Sequence, residues 1–183
     1  MFVKPDPGKK KTRWSEMKRN FYLTAILLTA LTTILVQDVW AGGFRADPAA
    51  VCDFMAEQGL RTRGGYRASG DSHGCTSQRR NLISGGQLNN SIRFLAQGDA
   101  EKVTRLTLEL QVNSRTGIQR AHRHLVDYAR VLMMNALGIE MSEEIEAAIL
   151  SAIKGSWGAG DSLVTLERIV LNAPAYELRL RIQ

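Results

Sequence analysis

The chain changes its hydrophobic period once, near the middle, and that change restricts the fold more than any other feature. From 103 to 112, Leu106, Leu108, Leu110 and Val112 alternate with Arg105, Thr107, Glu109 and Gln111. A repeat of two sends alternate side chains to opposite sides of a β-strand. From Thr116 to Leu137, by contrast, Ile118, Ala121, His122, Leu125, Ala129, Leu132, Met133 and Ala136 recur at helical spacing, and Gly138 ends the run. A strand with one wet face and a helix with one apolar stripe bury both by stacking one on the other.

The remaining segments extend this pattern. Asp47-Pro48 opens a short helix that carries Val51, Cys52, Phe54 and Met55 and stops at Gly59. Residues 61–75 hold Gly64, Gly65, Gly70 and Gly74 and read as a loop or a ragged hairpin. Strands are predicted over 76–83 and 88–96, parted by Ser84-Gly85-Gly86, with Leu88, Asn90, Ile92, Phe94 and Ala96 on one face of the second. Ser142 caps a second long-period segment, with Glu143 and Glu144 at its positive end, an apolar face of Ile145, Ala148, Ile149, Ala152 and Ile153, and a stop at Gly155. A turn at Gly158-Ala159-Gly160-Asp161 leads to strands over 163–171 and 176–182. The expected fold class is α+β: a two-layer sandwich whose mostly antiparallel sheet is covered by two central helices plus a short N-terminal helix.

Residues 21–36 contain no charge, proline or glycine, and a basic segment ending in Lys18-Arg19-Asn20 precedes them. At ~1.5 Å per residue the run makes a helix of about 24 Å, short of the roughly 20 residues of a comfortable membrane span. Residues 1–41 are therefore expected to be a signal peptide, with an uncleaved N-terminal anchor as the alternative. Val39 and Ala41 fit a cleavage site and make Gly42 the mature N-terminus. Either outcome places residues 42–183, a single exported domain, in the periplasm or outside a bacterial cell, free or anchored to the inner membrane. The formal charge of +6 is unevenly divided: residues 1–41 carry +4 and residues 42–183 only +2. So small a surplus gives no reason to expect a nucleic-acid partner.

Cys52 and Cys75 are the two cysteines of the sequence. In an exported chain an even count points to a disulfide. No C-x-x-C pair and no set of close metal ligands is present, so neither a metal nor a cofactor is expected. Gly70-Asp71-Ser72-His73-Gly74 satisfies G-x-S-x-G, which makes Ser72 or His73 a candidate for a small periplasmic hydrolase. The context argues against it: glycine-rich chain precedes, a strand follows, and no histidine lies upstream. His122 and His124 stand about 200° apart on a helix and cannot share a metal; His122 reads as a packed, hydrogen-bonded core residue and His124 as solvated.

After residue 42 the chain has fifteen arginines and two lysines. Arg61, Arg63, Arg67, Arg79 and Arg80 gather around the cysteine loop, where guanidinium forks could hold carboxylate or phosphate. Arg179 and Arg181 on the last strand extend such a patch or discourage edge pairing.

A series of short segments runs through the domain: Cys52-Asp53-Phe54, Gly59-Leu60-Arg61-Thr62, Cys75-Thr76-Ser77, Asn89-Asn90-Ser91-Ile92, Leu106-Thr107-Leu108, Ala121-His122, Ala136-Leu137-Gly138 and Tyr176-Glu177-Leu178. In these the chain resembles a family of small exported bacterial proteins of unknown function. The resemblance implies one exported domain with paired cysteines and supplies no activity. The functional expectation is a non-enzymatic binding module whose partner is another envelope protein or an anionic surface component. It would meet the membrane only through an uncleaved N-terminal segment.

Overall fold

A computed structural model describes Phe44, residues 46–82 and residues 89–183. The expected signal segment 1–41, cleavage between Ala41 and Gly42, the turn at Ser84-Gly85-Gly86 and Leu88 lie outside those residues. Among the described residues, no helix is long and apolar enough to cross a membrane.

The elements in chain order are α1 (Pro48–Cys52), β1 (Arg67–Ser69), β2 (Ser72–Thr76), β3 (Arg80–Leu82), β4 (Asn90–Gly98), β5 (Val103–Val112), α2 (Ile118–Leu137), α3 (Glu143–Ser151), β6 (Gly155–Ala159), β7 (Ser162–Val170) and β8 (Tyr176–Ile182). The strands form one antiparallel sheet in the order β1-β2-β4-β5-β8-β7-β6, with β3 also paired to β4. The two helices between β5 and β6 carry the chain to the far edge, and β6, β7 and β8 then return it to β5. The α+β sandwich expected from the period change is the observed fold.

Register explains the core. Phe94, Leu108, Leu180 and Leu166 stand side by side across β4, β5, β8 and β7, and Ala96, Leu106, Ile182 and Val164 form the next row. All eight are at most 1% exposed. Removing each large side chain of this set from water stabilises by about 1.5–3 kcal/mol. The apolar stripe of α2, with Leu125, Ala129, Leu132 and Met133 buried, packs on β4 and β5. Shorter α3 packs on α2 and β6 and buries Ile145 and Ile149.

Several local expectations are corrected. The first helix ends at Cys52, not Gly59; a series of turns continues to Gly59, whose φ of +77° suits glycine. Of the strand expected over 76–83 only Arg80–Leu82 forms β3; Thr76 is the end of β2, which forms a hairpin with β1 in the segment expected as a loop or ragged hairpin, and β2 and β3 both lie along β4 with a break between them. At the break the Ser77 hydroxyl accepts the Phe94 N–H at 2.9 Å, in place of a ladder carbonyl. Helix α3 stops at Ser151, with Ala152 in the left-handed conformation, and the segment assigned to its end and the following turn supplies an extra strand, β6. The last strand, β8, is not at an edge: it lies between β5 and β7, so Arg179 and Arg181 do not guard an edge.

Candidate functional site

The Cys52–Cys75 disulfide is present and ties the end of α1 to β2. It holds down the arginine-bearing segment between them. Closing a loop of this size contributes about 3.5 kcal/mol in the chain-entropy account. Thr62 bridges to Ser77, and the Tyr66 hydroxyl reaches the Asp99 carbonyl at 2.8 Å and the Lys102 carbonyl at 3.1 Å. Partial burial first, and the Asp99 carboxylate second, push the Tyr66 phenol above its ordinary range. Asp99 is held below the usual carboxylate range by the backbone N–H groups of Glu101 and Lys102, both at 2.9 Å. The loop is thus pinned at three points to the β2–β4–β5 end of the sheet.

Beside it lies an open cleft of about 570 Å³, lined by Arg63, Arg67, Ser69, Ser72, His73, Gly74, Thr76 and Gln97 among others. Among the described residues no carboxylate lines it. The side chains of Arg63 and Arg67 are exposed and have no acidic partner among the described residues. A smaller cleft of about 310 Å³ adjoins, with Arg61 and Arg63 in its wall. Of the five arginines in the expected patch, these three remain together and meet no carboxylate among the described residues.

The other two have structural work. Arg79 turns to the sheet face away from the helices, where one guanidinium nitrogen meets Glu109 at 3.2 Å and Glu177 at 3.1 Å. Arg80, one residue on, points to the helix side; it donates to the Gln58 carbonyl and, at 3.0 Å, to the Tyr128 hydroxyl. Consecutive residues of an extended chain face opposite ways, so the pair Arg79-Arg80 divides between the two layers.

That outer face holds a network that sequence reasoning missed. Arg93 meets Glu109 at 2.5 Å, Arg179 meets Glu109 at 3.3 Å and Glu177 at 2.6 Å, and Arg181 meets Glu167 at 2.7 Å. Glu109 is only 5% exposed, beneath three guanidinium groups. The signal available was parity alone: Arg93, Glu109, Glu177 and Arg179 all occupy outward positions of their strands.

Gly70-Asp71-Ser72-His73-Gly74 is a hairpin rather than a nucleophile turn. Gly70-Asp71 is the two-residue loop between β1 and β2, with Gly70 at φ +62°. Gly-Asp-Ser recurs at 160–162, where it makes the corresponding loop between β6 and β7 at the opposite edge. Gly74 is required because a Cβ there would come within 2.5 Å of the Ala96 carbonyl oxygen. The Ser72 hydroxyl donates to the Ser69 carbonyl at 3.3 Å, and His73 stacks on Tyr66 with ring centroids 6.2 Å apart. Ser72 and His73 are neighbours on β2 and face opposite sides, so they do not form a nucleophile–base pair.

His122 is buried, as its place beside the stripe of α2 suggested. Its Nδ1 lies 3.0 Å from the Leu150 carbonyl, which only accepts, so Nδ1 carries the proton. Bare Nε2 then accepts from the Tyr176 hydroxyl at 2.7 Å. Desolvation holds the imidazole below its ordinary pKa and the phenol above its own. Among the described residues no cluster of three or more His, Cys, Asp and Glu side chains is arranged to hold a metal.

Fold and site together define a disulfide-pinned α+β domain with an arginine-lined cleft at one end of its sheet. Comparison with protein families, with curated proteins and with solved structures finds no match for this chain.

Proposed function

We propose that the chain is an exported, non-enzymatic binding domain, and that Arg61, Arg63 and Arg67 engage acidic groups on an envelope protein or an anionic surface component. The observation that carries this reading is the contrast among neighbouring arginines: Arg79 and Arg80 are committed to internal partners, while Arg63 and Arg67 line an open cleft to which the described residues bring no carboxylate. A guanidinium left free beside such a cleft can grip carboxylate or phosphate in a forked, two-point contact. The Cys52–Cys75 disulfide supports export, since such a bond persists in an oxidising compartment.

A glutamate-rich peptide titrated against the protein tests the cleft. Arg63→Glu with Arg67→Glu abolishes its binding, while Arg105→Glu, an exposed arginine outside the cleft, leaves most of it. Equal binding by both variants would remove the cleft from consideration. Export is tested separately by intact mass and alkylation of protein from a periplasmic fraction. Full-length chain recovered folded from the cytosol, with both thiols reactive, would refute it.

A further inference from the structure

At the other end of the sheet the turn between β7 and β8 meets the start of α2. Between them lies a second cleft, of about 330 Å³, separate from the one lined by Arg63 and Arg67. Its walls are chiefly apolar, with Ile118 of α2, Val170 of β7 and Pro174 of the turn, and Tyr176 of β8 completes them. Two arginines stand in this apolar setting, Arg115 and Arg168. Among the described residues neither has an acidic partner and no carboxylate lines the cleft.

The two cations are differently held. The Arg168 guanidinium carbon lies over the Tyr176 ring, 4.4 Å from its centre, so the cation sits on an aromatic face. Tyr176 is itself fixed by the hydrogen bond from its hydroxyl to His122, whose other nitrogen donates to the Leu150 carbonyl. A buried chain of hydrogen bonds therefore positions the platform on which Arg168 rests. Arg115 is exposed on the connection between β5 and α2 and lines the same cleft. The first turn of α2 carries no acidic side chain, so its positive pole is not offset there.

Apolar walls and an unneutralised pair of guanidinium groups select together for one chemistry. A simple inorganic anion would leave the apolar walls wet, and a neutral apolar molecule would leave both charges unanswered. We propose that this cleft binds a small anionic amphiphile: a short apolar body bearing one carboxylate or phosphate head, held between Arg115 and Arg168. The volume suits a free molecule of modest size rather than a bilayer. The proposal stands independently of the Arg63–Arg67 cleft.

Calorimetric titration of the full chain with octanoate, octyl phosphate and octanol, all below their aggregation concentrations, tests it. Octanoate or octyl phosphate binds at least about tenfold more tightly than octanol, and Arg168→Gln and Arg115→Gln each weaken the anion about tenfold while leaving octanol unchanged. Arg115 is exposed and unstacked, so its variant remains informative if Arg168→Gln disturbs the fold. Affinity equal for octanol and the anions overturns the proposal. So does anion binding that survives both substitutions, which would locate it elsewhere, including the apolar residues 21–36. Binding to phosphatidylglycerol vesicles with none to free octanoate or octyl phosphate would also overturn it, in favour of a membrane surface.

Discussion

On β5, Leu108 and Glu109 are neighbours in the chain and both are buried, yet different forces bury them. Leu108 lies between Phe94 and Leu180 beneath α2. Glu109 lies between Arg93 and Arg179 on the opposite face, with the Arg79 guanidinium laid over it from beyond β4. The first environment is non-directional: apolar surface leaves water and any well-filling hydrocarbon serves. The second is directional, because the carboxylate is compensated only while the forks around it stay in place. One sheet thus carries a core on one face and an ionic layer on the other. The central strands β4, β5 and β8 serve both at alternate positions.

The largest effect expected from breaking this arrangement is on the helix face. Phe94 is fully buried at the β4 end of its row, so Phe94→Ala removes a large side chain and leaves a cavity. Such a change costs about 3–5 kcal/mol. Urea unfolding followed by circular dichroism measures it, and a loss below about 1 kcal/mol would mean that the row is not the centre of the core.

The outer face should respond less, and with a different dependence on conditions. Glu109→Gln keeps the shape and removes the charge that three arginines share. Breaking a fully buried pair costs about 3–5 kcal/mol; the arginines here are about a third exposed, which lowers the expectation to about 2 kcal/mol. Added salt separates the two faces. Between low and near-molar ionic strength the penalty of Glu109→Gln shrinks because the partly exposed guanidinium groups are screened, whereas the gap between Phe94→Ala and the parent chain holds. Two penalties that move together with salt would contradict the comparison.

The two faces were unequally legible in the sequence. Alternation along β5 and β8 is enough to assign Leu106, Leu108, Leu110, Leu178 and Leu180 to a covered side, because burial asks only for parity. The ionic layer needs register between distant strands: Arg79 and Glu177 are 98 residues apart, and no local pattern announces their meeting. Strand β6 escaped for a related reason. Gly155-Ser156-Trp157-Gly158-Ala159 has two glycines and weak alternation, and it is extended because β7 pairs with it. The site was half visible. Clustering of Arg61, Arg63, Arg67, Arg79 and Arg80 around the disulfide loop could be read from the chain, but the division between free and committed members follows from which way each faces. The cleft at Arg115 and Arg168 was not visible at all, since it joins the start of a helix to a turn far along the chain, beyond two further strands.

The smallest effect concerns His122, a titratable side chain buried under the helix face. His122 is packed by Leu150 of α3, by Tyr176 of β8 and near the positive Arg168 of β7. Desolvation is the largest cause of its lowered pKa, and the Arg168 charge acts in the same direction, while the Leu150 carbonyl opposes them. The folded protein therefore holds this imidazole neutral at pH values where the unfolded chain, titrating near the ordinary 6.5, takes up a proton. Stability supplied by a neutral His122 is complete above that value and is lost as pH falls through it towards the folded pKa. Unfolding midpoints compared at pH 7.5 and pH 5.0 are expected to fall for the parent chain and to fall less for His122→Gln. The lower limit stays clear of the acid range in which Asp99, whose pKa is also lowered, begins to contribute. The histidine Cε1 proton resonance gives the direct reading: a His122 midpoint at or above 6.5 would show that burial does not control this residue, and that the polar group beneath α2 is hydrated like the guanidinium layer on the other side of the sheet.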